Sequence, residues 1–403
     1  MTAFDVAILG AGPAGLSAAR AAARSGKSVV LLDDNPAAGG QIWRGNARIA
    51  VPSEVRFLSA TRVFDLRPGF EIACLPHGTI RAHKLILATG ARELFLPFPG
   101  WTQPGVLGAG ALQALAKSGL PVKGARVLVA GSGPLLLAVA AALRARGARI
   151  VGIAEQSPFS RILPLFQRHP SKLPEALALR ARLLGVRYWT GVWPVRHEDG
   201  QTQLSNGKRI SSDYLACGFG LLPNTEAAQL LGCRMDDGFV AVDSRQQTSV
   251  EGVYCAGEPT GIGGLKKALE EGERAGAAAT GQPVAIRRSH TGGFVRDLAA
   301  AFAIRPQLYD LAGPDTILCR CEDVPYSAMA PMREWRNAKL QTRCGMGPCQ
   351  GRICGPIGAH LFGWKPDGVR PPLFPVPAEA LARVETPPGP ENDRLDTGHS
   401  SNR

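Results

Sequence analysis

Aromatic residues and long apolar runs are both scarce in this sequence. Phe, Trp and Tyr make up 6% of the 403 residues, whereas glycine occurs 48 times. This mixture favours tight backbone turns of the kind that surround phosphates over an aromatic-lined sandwich. An apolar stretch without a charged side chain lies between Arg126 and Arg144. It is shorter than the ~20 residues that a membrane span requires, so we expect no span.

The sequence also lacks the marks of export and of nucleic-acid binding. Residues 1–15 include an apolar run but neither a basic start nor a small-residue cleavage site. The net charge of +13 permits binding to nucleic acid, anionic lipid or an acidic partner. However, no recognition-helix pattern and no aromatic-plus-basic RNA motif accompanies the charge. We therefore expect a cytoplasmic protein that binds no nucleic acid.

The first residues contain the pattern of a strand, a glycine-rich turn, a helix and a second strand. The apolar runs 5–9 and 28–32 are typical of buried strands, and the alanine-rich stretch 16–24 between them favours a helix. The length agrees with that of a βαβ unit. The sequence therefore predicts a dinucleotide-binding fold at the start of the chain.

The turn of this unit carries the motif Gly10-x-Gly12-x-x-Gly15. Gly10 permits the tight turn, Gly12 lets the main chain approach a pyrophosphate, and Gly15 lets the helix pack closely on the strand. The N-terminus of the helix offers N–H groups and positive potential to the phosphates. Asp33 follows the second strand and can accept hydrogen bonds from a ribose, with Asp34 as the alternative.

A degraded copy of this unit spans residues 126–155. Gly131 and Gly133 repeat the first two glycines, but Leu136 stands where the third glycine is expected. A leucine there changes how the helix meets the strand, so the pocket is either used differently or empty. Glu155 is the acidic ribose candidate if this second pocket is occupied. The basic stretch 161–187 that follows is either a docking surface for an acidic partner or a solvated face.

Cysteines cluster in the last quarter of the chain. Five of the nine lie within 36 residues, as Cys319-x-Cys321, Cys344-x-x-x-x-Cys349 and Cys354. In a cytoplasmic chain such clustering indicates a metal or redox centre sooner than disulfides. Four thiolates from two short loops can hold a [2Fe–2S] cluster.

The identity of the metal and of one ligand stays open at this point. Zinc is the rival metal, although zinc knuckles usually have two to four residues between their cysteines. Reduced thiols without a metal are the third interpretation. We assign Cys319, Cys321, Cys344 and Cys349 as ligands, and Cys354 could replace Cys349.

These features together resemble the flavoproteins that contain two dinucleotide folds. The resemblance also rests on a strand that ends at Ala88-Thr89-Gly90, on Gly39-Gly-Gln41, and on Cys255-Ala-Gly-Glu258 with Glu in place of the usual Asp. In that family the first fold holds FAD; here FAD, NAD or ATP are all considered. The cofactor-binding residues implied are Gly10, Gly12, Gly15, Asp33, Gly40, Gln41, Thr89, Gly90, Gly257 and Glu258, with Gly131 and Gly133 in the second fold.

A closer resemblance is to the α subunits of heteromeric dye-linked dehydrogenases, the group that contains opine oxidase, hydroxyproline and proline dehydrogenase and hydrogen cyanide synthase. It covers roughly residues 1–375, and the cysteine region resembles bacterioferritin-associated ferredoxins. The motifs that carry it are Gly39-Gly-Gln-Ile-Trp-Arg44, Gly131-Ser-Gly-Pro-Leu-Leu-Leu137, Cys255-Ala-Gly-Glu-Pro-Thr-Gly-Ile-Gly-Gly264 and Thr342-Arg-Cys-Gly-Met-Gly-Pro-Cys-Gln-Gly-Arg352.

This resemblance implies an electron relay. The substrate would be oxidised on a separate β subunit that resembles D-amino-acid oxidases and carries its own FAD. Electrons would cross an FMN at the subunit interface and reach the iron–sulfur centre, with a small ferredoxin-like γ subunit as a further partner. The sequence agrees in that its seven histidines are dispersed and no acid–base pair accompanies the flavin motifs.

The predicted fold is α/β, with two Rossmann-like dinucleotide-binding domains, the second inserted in the first, and a small C-terminal [2Fe–2S] domain. We place the first domain at residues 1–104 and 246–300 and the inserted domain at 105–245. The iron–sulfur domain is predicted at 301–365, followed by a proline-rich tail at 366–403.

Three classes of function compete on the sequence alone. They are a redox subunit of a heteromeric amino-acid or opine dehydrogenase, a stand-alone NAD(P)H-dependent reductase that feeds a ferredoxin-like acceptor, and a non-catalytic scaffold. Leu136 counts against the second class, and the intact cysteine set counts against the third. The disulfide-reductase branch is disfavoured because residues 74–255 contain no closely spaced cysteine pair.

Overall fold

A computed structural model describes residues 3–46, 48–284, 291–365 and 368–383. Its strands are β1 (Ala3–Leu9), β2 (Val29–Leu32), β3 (Val55–Leu58), β4 (Arg62–Arg67), β5 (Glu71–Leu75), β6 (Gly78–Leu87), β7 (Ala91–Glu93), β8 (Val106–Gly108), β9 (Arg126–Gly131), β10 (Arg149–Glu155), β11 (Tyr188–Thr190), β12 (Pro194–Glu198), β13 (Gln201–Leu204), β14 (Arg209–Ser211), β15 (Tyr214–Gly218), β16 (Leu221–Pro223), β17 (Met235–Asp236), β18 (Phe239–Val240), β19 (Val253–Cys255), β20 (Ile317–Cys319) and β21 (Val324–Pro325).

The α-helices are α1 (Pro13–Ala23), α2 (Ala109–Lys117), α3 (Leu135–Arg144), α4 (Phe159–Arg168), α5 (Leu173–Ala181), α6 (Glu226–Leu230), α7 (Gly264–Ala279), α8 (Thr291–Ala301), α9 (Tyr326–Met329), α10 (Trp335–Thr342), α11 (Cys354–Phe362) and α12 (Ala378–Ala382). Within the parts of the chain described, none of these helices is long and apolar enough to cross a membrane.

The first domain is built on a seven-stranded sheet. The strand order is β3-β2-β1-β6-β5-β4, and β19 pairs with the second half of β6. Strands β1, β2, β3, β6 and β19 run parallel, whereas β4 and β5 form an antiparallel extension. Side chains alternate along β1, because Val6 and Ile8 pack beneath α1 and α7 while Ala7 and Leu9 enter the core on the opposite face. The carboxyl ends of β1, β6 and β19 therefore meet at one edge.

The second domain is a five-stranded parallel sheet in the order β11-β10-β9-β15-β8. Helices α2 and α3 cover one face of this sheet with an apolar cluster. The chain enters and leaves the domain through one antiparallel ribbon, in which β7 pairs with β16. The second sheet is thus inserted between two strands that lie side by side.

The chain returns to the first domain well before the predicted boundary at residue 245. Ala227, Ala228 and Val240 belong to the apolar cluster of the first sheet. Helix α6 is only five residues long and carries little helical signal in the sequence, so tertiary packing decides which domain it joins. Conversely, α8 was assigned to the first domain but lies against α4, where Asp297 bonds His169 at 2.9 Å.

The C-terminal region packs on the open face of the second sheet. Leu308, Leu318, Trp335 and Ile357 join residues of that sheet in a single apolar cluster. The Trp101 indole N–H donates to the carbonyl of Ile317 at 2.6 Å, which fixes the two parts together. The cysteine-rich segment is therefore not an independently tethered module.

The predicted proline-rich tail is partly packed on the body. The Leu373 N–H donates to the carbonyl of Phe64 at 2.7 Å, and the Leu373 side chain is buried beside the first sheet. Part of the predicted tail, residues 366–367 and 384–403, lies outside the described residues.

Helices α1 and α7 approach each other at two glycines. A Cβ atom at Gly272 would lie 2.1 Å from the carbonyl oxygen of Ala14, and one at Gly276 would lie 2.3 Å from that of Ala18. We expect Gly276→Ala to lower the free energy of unfolding by about 1–3 kcal/mol because the helices must separate. Urea titration measures this change.

The matched control is Gly293→Ala in α8, where a Cβ atom would meet nothing within 4 Å. Alanine should be neutral or stabilising there by up to about 1 kcal/mol, since it is the better helix former. Equal unfolding curves for the two variants would contradict the proposed role of the α1–α7 contact.

Candidate nucleotide and cysteine sites

The first glycine motif forms a tight turn with one open position. A Cβ atom added at Gly10 would lie 2.3 Å from the carbonyl oxygen of Ala88, and one added at Gly15 would lie 1.8 Å from the carbonyl oxygen of Gly10. At Gly12 the nearest atom would be the Gly40 Cα, at 3.9 Å. The loop is thus closed where packing demands glycine and open where a phosphate would approach. This geometry fits the pyrophosphate of an adenine dinucleotide.

Asp33 lies at this loop, and Asp34 does not. The Asp33 carboxylate is buried and accepts the Ala11 N–H at 2.5 Å and the Asn35 N–H at 2.8 Å. Asp34 is exposed, and its carboxylate accepts a hydrogen bond from the Asn35 side chain. Of the two candidates, Asp33 is therefore the one placed beside the nucleotide loop.

The loop that contains Gly40 and Gln41 closes over Gly12. The Gly39 N–H donates to the Ala11 carbonyl at 2.8 Å. Lys117 donates to the Gln41 carbonyl at 3.0 Å from the second domain. Burial and nearby guanidinium groups lower the pKa of Lys117. Sequence reasoning missed this lysine, because only the fold brings α2 to the loop.

Thr89 and Gly90 follow β6 and border the same edge. The Thr89 hydroxyl donates to the Asn224 carbonyl at 2.6 Å, and the Asn224 amide donates back to the Thr89 carbonyl at 2.9 Å. The turn at Gly257 faces the start of α1, since a Cβ atom there would lie 3.0 Å from the Ala14 Cβ. The structure thus brings the predicted strand-end residues together.

Glu258 is directed at helix α7. Its carboxylate accepts the N–H groups of Gly263 at 3.2 Å and Gly264 at 3.0 Å. Burial raises the pKa of Glu258, and these N–H groups oppose the shift. The acidic residue of this motif therefore caps the start of the helix.

A buried ion pair that the sequence analysis did not identify fixes the Gly257 turn. The Lys267 ammonium donates to the Gly257 carbonyl at 3.0 Å and to the Glu271 carboxylate at 2.8 Å. Glu271 in turn accepts the Gly257 N–H at 2.9 Å. The sequence signal is a Lys–Glu pair four residues apart, which the exposed pair Lys266 and Glu270 also shows. Only burial distinguishes the two pairs.

The second glycine loop resembles the first at its acidic residue. Glu155 is fully buried and accepts the Gly133 N–H at 2.7 Å and the Ser157 N–H at 2.8 Å. Burial raises the pKa of Glu155 to about 7. Leu136 fills the apolar cluster beneath α3. Unlike Gly12, however, Gly133 faces an aromatic ring, because a Cβ atom there would lie 4.0 Å from Phe302 Cγ.

The structure gathers the clustered cysteines into one group. The sulfur atoms of Cys319, Cys344 and Cys354 all lie within 4.8 Å of one another. Cys349 contacts both Cys354 and the exposed Cys321. Cys354, which the sequence left as an alternative ligand, is thus placed at the centre of the group. Soft thiolates in such number suit iron–sulfur clusters or zinc.

Main-chain N–H groups point at these sulfur atoms. Hydrogen bonds from the Cys344 and Cys354 thiols and from the Gly345 N–H hold the pKa of Cys319 far below its usual value. Interaction with Cys354 and hydrogen bonds from main-chain N–H groups lower the pKa of Cys349 to about 5. Contacts with Cys319 raise the pKa of Cys344 to about 12 and also raise the pKa of Cys354, and burial raises the pKa of Cys321, so the thiolate form is favoured at two of the five cysteines.

Trp335 supports the cysteine loop through glycines. A Cβ atom at Gly345 would lie 2.7 Å from the Trp335 ring, and one at Gly351 would lie 3.2 Å from it. At Gly347 a Cβ atom would lie 2.3 Å from the Cys321 Cβ. The glycines let the loop fold tightly between the tryptophan and the first cysteine motif.

Arg352 lies partly buried beside the cysteine loop. It donates to the Cys349 carbonyl at 3.4 Å and stacks 4.1 Å from the Phe374 ring centroid. Arg343 instead pairs with Glu322, and Arg320 packs over Trp101.

A continuous set of polar contacts joins the two sites. Arg92 donates to the Asn224 side chain at 2.8 Å, and Asn224 is bonded to Thr89 at the nucleotide edge. The Arg92 guanidinium also donates to the Arg352 carbonyl at 3.2 Å, and both arginines pair with Glu226. The nucleotide edge and the cysteine loop are thus joined by one network of hydrogen bonds and ion pairs.

The sequence pattern of the pyridine nucleotide-disulphide oxidoreductases matches residues 4–272. The chain belongs to this family. This oxidoreductase is 31% identical to an opine oxidase subunit of Rhizobium meliloti (strain 1021), with 96% of this chain and 100% of the relative covered. It is 30% identical to hydrogen cyanide synthase subunit HcnB of Pseudomonas aeruginosa, with coverages of 94% and 98%.

The solved structure of L-proline dehydrogenase from P. horikoshii has the same fold. It superposes with a TM-score of 0.65 at 18% identity, covering 94% of this chain and 79% of that one. The predicted α/β architecture with dinucleotide-binding folds and the assignment to the oxidoreductases are therefore confirmed. The predicted site residues and the iron–sulfur domain stay predictions.

The open position at Gly12 allows a direct test of nucleotide binding. Gly12→Val should abolish the bound cofactor without unfolding the protein, because its side chain enters the phosphate space and meets little protein. Chromatography of the released nucleotide and circular dichroism measure these two effects. Gly15→Val should instead prevent folding, since its Cβ atom collides with Gly10. Full cofactor occupancy in Gly12→Val would show that the nucleotide lies elsewhere.

Proposed function

We propose that this chain is the redox subunit of a heteromeric dehydrogenase that oxidises an amino acid or opine, with a hydroxyproline, proline or opine as the substrate class. The observation that carries this proposal is a pair of hydrogen bonds. Arg92 donates to Asn224 at the nucleotide edge and to the Arg352 carbonyl in the cysteine loop. Two electron-carrying groups held in a fixed arrangement are what a relay requires. The relatives named above are themselves subunits, which supports a role within a complex.

The cofactors proposed are FAD, or another adenine nucleotide, at the first glycine loop and a [2Fe–2S] cluster at the cysteines. Gly12 and Asp33 would hold the pyrophosphate and ribose, and the cysteine group would ligate the iron. When bound, a flavin passes electron pairs and an iron–sulfur cluster passes single electrons. The protein residues orient these groups and shield them from water. An FMN at the subunit interface is proposed from the family resemblance.

Substrate oxidation is proposed to occur on a partner. The nucleotide edge offers a capped carboxylate at Glu258 and a carboxylate at Asp33 that is occupied by main-chain N–H groups. Neither is arranged as a free acid–base group for removing a proton or hydride from a substrate. The partner proposed is a D-amino-acid-oxidase-like subunit with its own FAD, together with a small ferredoxin-like subunit.

The partner is proposed to dock on the face formed by α4 and α5. Helix α5 has no buried residue, and Leu163, Leu177 and Leu184 of this region are between 42% and 71% exposed. The exposed cations Arg161 and Arg182 lie among these leucines in the sequence. An apolar face with a basic rim fits a partner subunit whose docking surface is apolar with an acidic rim.

The metal proposal predicts the composition of the purified protein. Protein prepared without oxygen should contain iron and labile sulfide in equal amounts, with thiolate-to-iron absorption. Cys319→Ser and Cys344→Ser should remove both elements, whereas the control Cys74→Ser should retain them, because buried Cys74 lies in β5 of the first sheet. Stoichiometric zinc without sulfide would contradict the cluster.

Reconstitution tests the relay. The purified chain alone should reduce no dye with proline derivatives, hydroxyprolines or opines, whereas a mixture with the proposed D-amino-acid-oxidase-like subunit should do so. Leu177→Asp should weaken binding of that partner by about tenfold or more, since a charge enters an apolar interface. The control Leu340→Asp changes a leucine that is similarly exposed, 66% against 58%, outside the proposed face.

Two outcomes would contradict this function. Substrate-dependent dye reduction by the chain alone, at the rate of the mixture, would place the active site on this chain. Rapid oxidation of NADH by the isolated chain would support the alternative of a stand-alone NAD(P)H-dependent reductase that feeds a ferredoxin-like acceptor. The Phe302 ring beside Gly133 counts against that alternative.

A further inference from the structure

The second glycine loop is in contact with residues 301–303 of the same chain. The Ser132 hydroxyl donates to the Phe302 carbonyl at 3.0 Å, and the Ser157 hydroxyl donates to the Ala301 carbonyl at 2.9 Å. The Gln156 amide lies 3.2 Å from the Ala303 carbonyl oxygen. Consecutive main-chain carbonyls at the end of α8 are thus each met by a side chain of the second nucleotide fold.

These side chains come from the two segments that define a nucleotide pocket. Ser132 belongs to the glycine loop, and Gln156 and Ser157 directly follow the acidic residue at the end of β10. All three are buried, with Gln156 and Ser157 fully so. Buried donors of this kind need partners, because an unsatisfied one costs about 1–3 kcal/mol. Residues 301–303 supply those partners.

The Phe302 side chain lies beside Gly133 of the second glycine loop. In the first fold, the nearest atom to a Cβ atom added at Gly12 is the main-chain Cα of Gly40, at 3.9 Å. In the second fold, the nearest atom to one added at Gly133 is Cγ of the Phe302 ring, at 4.0 Å. Glycine is needed at this position because the phosphate comes close to the main chain. A nucleotide would therefore have to displace both the ring and the hydrogen bonds behind it.

The segment continues directly into the cysteine region. The Arg305 N–H donates to the Gln156 side-chain oxygen at 3.2 Å, and the Arg305 guanidinium lies 4.8 Å from the Trp193 ring centroid. Leu308 follows, fully buried in the apolar cluster that also contains Cys319 and Cys344. Whatever holds residues 301–305 therefore also positions the start of the cysteine region.

We propose that residues 301–303 are the resident ligand of the second dinucleotide fold. The fold binds a peptide segment of its own chain in place of a nicotinamide nucleotide, and it thereby anchors the cysteine region to the body. This inference stands on the contacts of Ser132, Gln156, Ser157 and Phe302, and it holds whether or not the cysteines carry iron.

Hydrogen–deuterium exchange of the full-length protein with its bound cofactors tests the proposal. The amides of Phe302 and Arg305, which donate to the Leu298 carbonyl and the Gln156 side chain, should exchange slowly, and 1 mM NADH or NADPH, a concentration on the order of saturating for micromolar binding, should leave their exchange unchanged. Rapid exchange of these amides without nucleotide, or a change in their exchange on adding either nucleotide, would overturn it.

A pair of isosteric variants provides a second test of the proposal. Gln156→Glu places a carboxylate against the Phe302 and Ala303 carbonyls, which should push the segment away and speed exchange of the Arg305 amide by about tenfold or more. Gln167→Glu adds the same charge at an exposed position of α4 and should leave that exchange unchanged. Circular dichroism confirms that both variants are folded. Equal exchange in the two variants would overturn the proposal.

Discussion

Contacts between main chains, made where a Cβ atom would collide, hold the parts of this molecule together. Helices α1 and α7 touch through Gly272 and Gly276, and the end of β9 touches the end of β15 through Gly131 and Gly218. These contacts set the spacing of the strand ends, and the strand ends in turn set the positions of both nucleotide loops. Such contacts leave little room for the packed elements to shift, because protein interiors are as dense as organic crystals.

The two dinucleotide folds share one local arrangement of carboxylate and glycine loop, but they differ in what lies beside the loop. In each, a buried carboxylate after the second strand accepts a main-chain N–H of the glycine loop: Asp33 from Ala11 and Glu155 from Gly133. The local chemistry is the same, yet the main chain of Gly40 lies beside Gly12, and a phenylalanine that is far away in the sequence lies beside Gly133. A fold can therefore keep a nucleotide signature while its pocket is given to another occupant.

This contrast also explains how much the sequence could predict. Strands β1, β6 and β9 and helix α1 followed from buried apolar runs, a glycine turn and an alanine-rich stretch, all of which are local signals. The position of α8 depends on Asp297 meeting His169 across 128 residues, and no local pattern reports it. The same holds for the return of the chain at α6, whose five residues carry too little periodicity to be assigned.

The candidate sites divide in the same way. Glycine and cysteine spacing indicated both loops, because those residues are required by main-chain geometry and by thiolate chemistry. The supporting residues Lys117, Lys267 and Trp335 were missed, since a lysine or tryptophan in a helix resembles any surface or core residue until its burial is known. Likewise, spacing alone could not show that the sulfur of Cys354 lies within 4.8 Å of those of Cys319 and Cys344.

The inserted domain is attached on two sides. The β7–β16 ribbon joins it to the first domain, while residues 301–305 and the bond from Trp101 to Ile317 brace it through the cysteine region. A domain that is joined by one ribbon can rotate about that ribbon, but a second attachment restricts the rotation. Rotation of the inserted domain about the ribbon would therefore have to break the bonds of residues 301–305 as well, so the two attachments together oppose a change in the spacing between the glycine loop and the cysteine group.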